Sequence, residues 1–303
     1  MKKTFYSNGK LLITAEYVVL DGAKAFALPT KFGQYLHVDS GGNSEIKWTS
    51  YDKDGSIWFE ETLSFEAIKQ HTSKEDSVKN TLIEILHAAY LMNPAFINDG
   101  EGYHITTTLT FPRYWGLGTS STLINNLAQW LAIDAFKLLQ NSFGGSGYDI
   151  ACAQNNVPIT YQLIEGKPIV NAVHFNPAFL DHLYFVYLNR KQSSKKAIAA
   201  YYKRQNALDK IIPSINTITD AVLNSNDLNT FAGQLEKHEI MLSHLLETET
   251  AKENLFYDFK GVIKSLGAWG GDFVLAISKE NPTTYFQEKG FETIIPYQEM
   301  ILS

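Results

Sequence analysis

Glycine and hydroxyl residues stand together where a strand-like segment gives way to a helix-like one. The stretch PRYWGLGTSST, residues 112–122, contains the six consecutive residues Gly116, Leu117, Gly118, Thr119, Ser120 and Ser121. A helix N-terminus presents unpaired N–H groups and a positive dipole end, and glycine lets an anion approach that backbone closely. The stretch therefore predicts a phosphate cradle, with a tight turn and a Ser/Thr helix cap as the structural alternative. The P-loop pattern GxxxxGK[ST] occurs nowhere in the chain.

Three further stretches complete a pattern along the whole chain. They are SNGKLLITAEYVVLDGA (residues 7–23), GGSGYDIACAQNNVPITYQ (144–162) and KSLGAWGGDFVLA (264–276). With the central stretch, the first and last of these resemble, in order and spacing, the three signature motifs of the GHMP kinase superfamily, written PGKvlLtGEyaVldG, PxGxGLGSSAA and GAGGGGC or, closer, GAGGGDC. The stretch 144–162 resembles the GSGxD(V/I)A element of the mevalonate and phosphomevalonate kinase branch, and its GYDIA string indicates a bacterial subgroup.

The resemblance implies a fold and a reaction. It implies an α+β protein of two domains, an N-terminal domain like domain 2 of ribosomal protein S5 (residues 1–170) and a ferredoxin-like C-terminal domain (171–303), with the active site in the cleft between them. Strands mixed with helix pairs also favour α+β. The sequence pattern changes around Gly166, Pro168 and Pro177, which predicts the domain boundary near residue 170. The implied activity is an ATP-dependent phosphotransferase that uses Mg²⁺.

The resemblance also implies roles for individual residues. Asp149 matches the motif aspartate and would act as general base on the acceptor hydroxyl. Lys10 matches the lysine of the first motif and would stabilise the transferred charge. The cradle residues 116–121 would bind the ATP phosphates, and Ser120 would also contact magnesium. The structural alternatives are a turn aspartate for Asp149 and a solvated strand-end lysine for Lys10.

On the acceptor side the resemblance implies a larger group of residues. These are Glu16, Ser193, Ser194, Gly267, Ala268, Gly270 and Gly271. Glu16 has a structural role as its alternative. Asp272, which matches the aspartate of the third motif, has the same alternative. The basic run RKQSSKKA (190–197) would attract a phosphorylated acceptor through Arg190, Lys191, Lys195 and Lys196, or would be a solvated helix start.

The chain departs from the family pattern at several positions. Trp115 and Trp269 replace small residues in two glycine motifs, and Ala15 replaces a glycine in the first. The two indoles would narrow the acceptor pocket, stack on a ligand or block the site. Between Glu101 and Asp149 the only carboxylate is Asp134, so magnesium would be held by phosphates, water and Ser120.

Composition narrows the class of protein. The 303 residues carry a net charge of −6, which argues against a nucleic-acid binder. A single cysteine excludes a disulfide framework, the N-terminus does not read as a secretory signal, and LLITAEYVVL is too short to span a membrane. We therefore expect a cytoplasmic protein without membrane or nucleic-acid partners, and a homodimer is one assembly that the sequence leaves open.

The eight histidines show no metal spacing, and His238 and His244 are interpreted as ordinary helix residues.

Hydrophobic periodicity predicts the elements. The predicted strands are residues 34–39, 44–49, 56–61, 103–110, 183–188, 273–278 and 292–295, and the predicted helices are 74–91, 120–139, 195–207, 207–224, 228–246 and 252–265.

Three functions remain open at this point. The first is an ATP-dependent kinase acting on mevalonate or phosphomevalonate, with the GSGYD and GGD strings favouring phosphomevalonate. The second is a mevalonate diphosphate decarboxylase-like enzyme, which would also use ATP and would release carbon dioxide. The third is a non-catalytic binding protein that has kept the fold.

Overall fold

A computed structural model describes residues 2–71, 76–190, 201–202, 208–267, 269 and 271–302. The chain forms two compact units that are not contiguous in sequence. The first unit comprises Met1–Gly9, Phe32–Arg113 and Leu117–Gln154, and the second comprises Lys10–Lys31, Tyr114–Gly116 and Asn155–Ser303. The domain boundary near residue 170 stays a prediction.

The described strands and helices are numbered in chain order. The strands are β1 Lys3–Leu12, β2 Ala25–Ser40, β3 Glu45–Tyr51, β4 Ile57–Ser64, β5 Tyr103–Leu109, β6 Ile159–Ile164, β7 Lys167–Ala172, β8 Leu183–Tyr187, β9 Val262–Ser265, β10 Phe273–Ile277 and β11 Ile294–Pro296. The α-helices are α1 Phe65–Lys69, α2 Val78–Met92, α3 Ala95–Asn98, α4 Thr119–Leu131, α5 Ala135–Ser142, α6 Tyr148–Gln154, α7 Leu208–Leu223, α8 Leu228–Leu246, α9 Ala251–Leu255, α10 Thr283–Glu288 and α11 Tyr297–Met300.

The first unit is a mixed sheet covered by helices. The second half of β2 pairs antiparallel with β5, β5 pairs parallel with β3, and β3 pairs antiparallel with β4. Alternate residues of these strands, such as Leu36, Ile46 and Ile105, face a core that also takes the apolar faces of α2, α4 and α5. Side chains such as Leu86 and Leu127 are fully buried there, and each contributes about 2 kcal/mol of hydrophobic stabilisation.

The second unit contains a separate four-stranded sheet in the order β11-β8-β10-β9. All three of its pairings are antiparallel, and Phe273 lies opposite Tyr187. Residues of β8, β9 and β10 pack with Phe256, Phe259 and Phe286 in a core of its own. In the same unit the first half of β2 pairs with β6, and β6 pairs with β7.

Two predicted helices differ from the structure. Residues 120–139 form two helices, because the chain reverses at Ala132 (φ +52°) and Asp134 caps α5 by accepting hydrogen bonds from Phe136 and Lys137. The helix predicted over 252–265 is wrong beyond its first turn. It ends at Leu255, and the β-branched Val262 and Ile263 pair as β9 with β10. Most of the helix predicted over 195–207 lies outside the described residues.

The strand predicted over 34–39 is longer than expected, because β2 begins at Ala25. The other predicted strands and helices are present within a few residues of their expected bounds. Sequence reasoning missed the strands β1, β6 and β7 and the short helices α1, α3, α6, α10 and α11, and of these α6 carries Asp149.

Candidate active site

The glycine-rich stretch begins helix α4 without a side-chain cap. Gly118 is the N-cap residue with φ +91°, and no side chain accepts a hydrogen bond there. Thr119 and Ser120 are half-buried in the first turn, and Ser121 is buried. The Oγ1 atom of Thr122 donates to Gln34 Oε1 at 2.9 Å. Glycine adopts this conformation without strain and adds no side chain beside the first-turn backbone, which favours the approach of an anion.

A buried polar network fixes α4 within the first unit. Ser7 Oγ donates to Asn126 Oδ1 at 2.8 Å and accepts from Asn125 Nδ2 at 2.8 Å. Asn126 Nδ2 donates to the Gln34 carbonyl at 2.9 Å, and Gln154 Nε2 donates to Asn125 Oδ1 at 3.0 Å. Because buried polar groups must be paired, this network specifies one rotation of α4 against β1 and β2.

Asp149 lies in the first turn of α6, in the same unit as Ser120. Gly147, with φ +92°, precedes this turn, and its carbonyl accepts the Ala151 N–H at 3.1 Å. Asp149 is half-buried, whereas Ile150 is fully buried. The hydrogen bond from Gln154 ties α6 to α4. The structure therefore brings the helix of the expected base against the helix of the expected phosphate cradle.

The other predicted residues belong to the second unit. Lys10 is half-buried in β1, and Gly267 has φ +62°. Gly271 is buried, and Arg190 is exposed at the end of the described segment. Ser193, Ser194, Ala268, Gly270, Lys191, Lys195 and Lys196 lie outside the described residues.

Glu16 lies in a buried charged cluster of the second unit. Lys264 is fully buried, its ammonium group donates to Glu16 and to the Ser265 carbonyl, and Glu239 Oε2 lies 3.3 Å from it. Ser265 donates to Glu239 from its hydroxyl at 2.6 Å and from its N–H at 3.1 Å. Burial raises the pKa of Glu16 to about 7, although the Lys264 charge opposes the rise.

His238 is part of this cluster, so its interpretation as an ordinary helix residue is wrong. It is fully buried in α8, and its Nε2 atom accepts the Ala15 N–H at 2.8 Å. Burial, together with the nearby Lys264 charge, lowers the pKa of His238 well below its ordinary value. The sequence held a signal that was missed, because His238 falls in the helical stripe of Phe231, Leu235, Leu242 and Leu245, all of them buried.

Both unexpected tryptophans are buried in the second unit. Trp115 is 9% exposed, and its ring meets the Phe273 ring edge-on with centroids 5.5 Å apart. Trp269 is 8% exposed, its backbone N–H donates to the Tyr17 hydroxyl at 3.1 Å, and its ring centroid lies 6.0 Å from Lys264 Nζ. The two indoles therefore contribute mainly to the packing of this unit.

The next feature is the set of side chains that could bind a metal ion in the described part of the chain. Among the described residues, no three histidine, cysteine, aspartate or glutamate side chains are grouped so that they could hold one. Asp134, the one additional carboxylate before Asp149, is engaged as the cap of α5. A magnesium ion carried by phosphates, with the Ser120 hydroxyl as a protein ligand, fits this donor set.

In the described part of the chain, no helix has the length and apolar character needed to cross a membrane.

Comparison with solved structures identifies the fold. The chain is similar to Methanococcus jannaschii mevalonate kinase, with 15% identity and a TM-score of 0.70 over 97% of this chain and 96% of that one. It is equally similar to Streptococcus pneumoniae phosphomevalonate kinase in complex with phosphomevalonate and AMPPNP, with 16% identity, a TM-score of 0.69 and coverage of 96% and 99%.

A third structure, the Lin0012 protein of Listeria innocua, has 15% identity, a TM-score of 0.73 and coverage of 98% and 97%. No protein-family model matches the sequence, and no curated protein matches it either. The agreement over nearly the full length of each chain shows that this protein has the two-domain GHMP kinase fold.

Proposed function

We propose that the protein is an ATP-dependent kinase that transfers the γ-phosphoryl group to a hydroxyl or phosphate of a small molecule. The observation that carries the proposal is the packing of α4 and α6 in one unit. One helix starts with an uncapped glycine turn and hydroxyl residues, and the other presents Asp149 in its first turn. Phosphoryl transfer needs such a combination of a phosphate cradle and a group that accepts the acceptor's proton.

In this proposal the start of α4 binds the ATP phosphates. Gly118 leaves the backbone accessible, and the hydroxyls of Thr119, Ser120 and Ser121 supply further hydrogen bonds. The dipole of α4 favours negative charge at this end. Magnesium, held by the phosphates, water and the Ser120 hydroxyl, would neutralise part of the phosphate charge.

Asp149 would take the proton from the acceptor hydroxyl as the phosphoryl group moves to it. Its backbone is fixed by the buried Ile150 and by the hydrogen bond between Gln154 and Asn125. Lys10 would contribute positive charge that stabilises the transferred group. A base of this kind must be held in a fixed place, because small displacements cost large factors in rate.

The acceptor that we propose belongs to the mevalonate branch, either mevalonate or phosphomevalonate. Two of the similar structures are kinases of these two compounds. The exposed Arg190 opens the basic run 190–197, which would favour a phosphorylated acceptor over a neutral one.

The test is ADP formation with ATP and magnesium against mevalonate, phosphomevalonate, mevalonate diphosphate, homoserine and simple sugars. We expect turnover with mevalonate or phosphomevalonate and no carbon dioxide release. Carbon dioxide release from mevalonate diphosphate would instead support the decarboxylase. ATP binding without turnover on any of these acceptors would contradict the mevalonate-branch assignment, and absence of ATP binding would support a non-catalytic protein.

A further inference from the structure

The first half of the glycine-rich stretch is held by two strands of the second unit. Tyr114–Gly116 belongs to that unit, whereas the stretch from Leu117 onward belongs to the first. The contacts come from Tyr187 of β8, Phe273 of β10 and Asp272, the residue before β10, and together they reach all three residues of this short segment. Because Gly116 is the first residue of the proposed phosphate cradle, whatever holds this segment fixes the backbone at the entry to the cradle.

The closest of these contacts joins Asp272 to Gly116. Gly116 has φ +66°, and a Cβ at this position would overlap the Asp272 carboxylate and lie 2.8 Å from the Asp272 Cβ. A rotation of the Asp272 side chain would move its carboxylate but not its Cβ, so it would not remove the conflict. The Asp272 side chain therefore fills the space where any larger residue at 116 would place its own.

Asp272 is itself anchored by its backbone. It directly precedes β10, and its carbonyl accepts the Leu188 N–H at 2.8 Å, which continues the pairing of β8 with β10. The position of its side chain against Gly116 is therefore set by a sheet and not by a mobile loop.

The neighbouring residues of the segment are held by the same strand pair. The Tyr187 hydroxyl donates to the Tyr114 carbonyl at 3.0 Å. Burial, and secondarily the Asp272 charge, raises the pKa of Tyr187, which keeps this donor protonated. The Trp115 ring packs edge-on against Phe273. Three consecutive residues are thus fixed by Tyr187, Asp272 and Phe273.

We propose that Asp272 is a positioning residue for ATP, which holds Gly116 in its left-handed conformation so that the glycine-rich stretch is preorganised for the triphosphate. The inference rests on the proposed function, because it concerns the same phosphate cradle. A cradle that is ordered before binding loses less conformational freedom on binding, and this increases affinity for the nucleotide. Asp272 is therefore expected to affect ATP and not the acceptor.

The experiment measures MgATP affinity by calorimetric titration and the two KM values by ADP formation, using the full chain. Asp272→Ala is expected to weaken MgATP binding about tenfold, which corresponds to about 1.4 kcal/mol, and to leave the acceptor KM within about twofold. Asp272→Asn, which keeps the shape, is expected to stay within about threefold of the wild type. A residue that only stabilised the fold would change both KM values or neither.

A second pair of variants tests the contact itself. Gly116→Ala is expected to weaken MgATP binding by about tenfold or more, and Gly116→Ala/Asp272→Gly is expected to return to within about threefold of Asp272→Gly alone. Gly166→Ala is the matched control, because Gly166 has φ +74° in the same unit with no atom within 4 Å of the added Cβ. This variant shows the effect of an alanine with a positive φ value alone, without the overlap with a neighbouring side chain that Gly116→Ala introduces.

Wild-type MgATP affinity in Asp272→Ala would overturn the inference. So would a double variant Gly116→Ala/Asp272→Gly that binds MgATP no better than Gly116→Ala. If Gly116→Ala does not fold, the MgATP affinities of Asp272→Ala and Asp272→Asn decide the question. Failure of the wild-type protein to bind MgATP would overturn the proposed function itself. The two failures are distinguishable, because in the second it is the wild type that fails.

Discussion

The imidazole of His238 and the backbone of Ala15 are joined by a buried hydrogen bond, with 2.8 Å between Nε2 and the amide nitrogen. Ala15 (φ +69°) and Tyr17 (φ +65°) both adopt left-handed conformations that are unfavourable for residues with a side chain. His238 therefore supports a strained turn in the first motif. It does so in its neutral form, because Nε2 must accept the hydrogen bond.

The first prediction concerns this hydrogen bond. His238→Leu leaves the Ala15 N–H buried without an acceptor, so we expect the free energy of unfolding to fall by about 2–3 kcal/mol. The measurement is equilibrium unfolding in urea. His244→Leu is the control, because His244 lies exposed on the same helix and should change stability by less than about 0.5 kcal/mol. Equal effects of the two substitutions would contradict a specific role for His238.

The second prediction concerns the buried ion pair of Lys264 and Glu16. Lys264→Met leaves Glu16 and Glu239 without their cation in an environment that excludes water, so we expect a loss of about 3–5 kcal/mol. Lys24→Met is the matched control, since Lys24 pairs with Asp220 at 2.8 Å on the surface and should cost about 1 kcal/mol or less. A loss of under 1 kcal/mol for Lys264→Met would show that the buried pair does not need its cation.

The third prediction follows from the raised pKa of Glu16. Its ordinary value is 4.5 and its folded value is about 7, so between these pH values the folded state holds a proton that the unfolded chain has lost. The contribution of Glu16 to stability is therefore fully present below pH 4.5 and lost as the pH rises to about 7. Glu16→Gln does not titrate, so its stability relative to the wild type should rise across this window, on the order of 3 kcal/mol in total.

Urea unfolding of both proteins at several pH values checks this result. The groups nearest to Glu16, which are Lys264, Glu239, His238 and Tyr17, remain in both proteins. Glu253→Gln is the contrasting variant, because hydrogen bonds from Thr250 lower the pKa of Glu253 and its effect should have the opposite sign. A pH-independent difference between Glu16→Gln and the wild type would show that Glu16 is ionised throughout.

The fourth prediction concerns Ser120 and the proposed magnesium site. Ser120→Ala removes a hydroxyl from the first turn of α4 without disturbing the Ser7–Asn126 network behind it. We expect about a tenfold rise in the magnesium concentration needed for half-maximal ADP formation, with stability within about 0.5 kcal/mol of the wild type. Thr119→Ala is the comparison variant, because its hydroxyl is proposed to contact the phosphates and not magnesium, so its magnesium dependence should stay unchanged. Unchanged magnesium dependence in Ser120→Ala would remove Ser120 from the site.

The overall fold was predictable from sequence because the four motif stretches resemble those of the GHMP kinase superfamily. Within them, Gly116, Gly118 and Gly147 all have positive φ values, which glycine adopts without strain. The segment 252–265 was mispredicted. Its helical pattern is local, whereas β9 forms by pairing with β10, which in turn pairs with β8 from a distant part of the chain.

The parts of the candidate site that escaped prediction depend on contacts between distant residues. Asn125 and Asn126 read as ordinary helix residues until Ser7 and Gln34 are brought beside them. Likewise, nothing local to His238 indicates that it supports Ala15, which is 223 positions away. Buried polar partners are set by tertiary structure, so a single sequence shows the groups without showing the pairs.

The central claim is tested most directly by Asp149→Asn. Asparagine keeps the shape of the side chain but cannot accept the acceptor's proton. With mevalonate or phosphomevalonate as acceptor, we predict MgATP affinity within about threefold of the wild type and a loss of ADP formation of about 10²-fold or more. Wild-type turnover in Asp149→Asn would contradict the account.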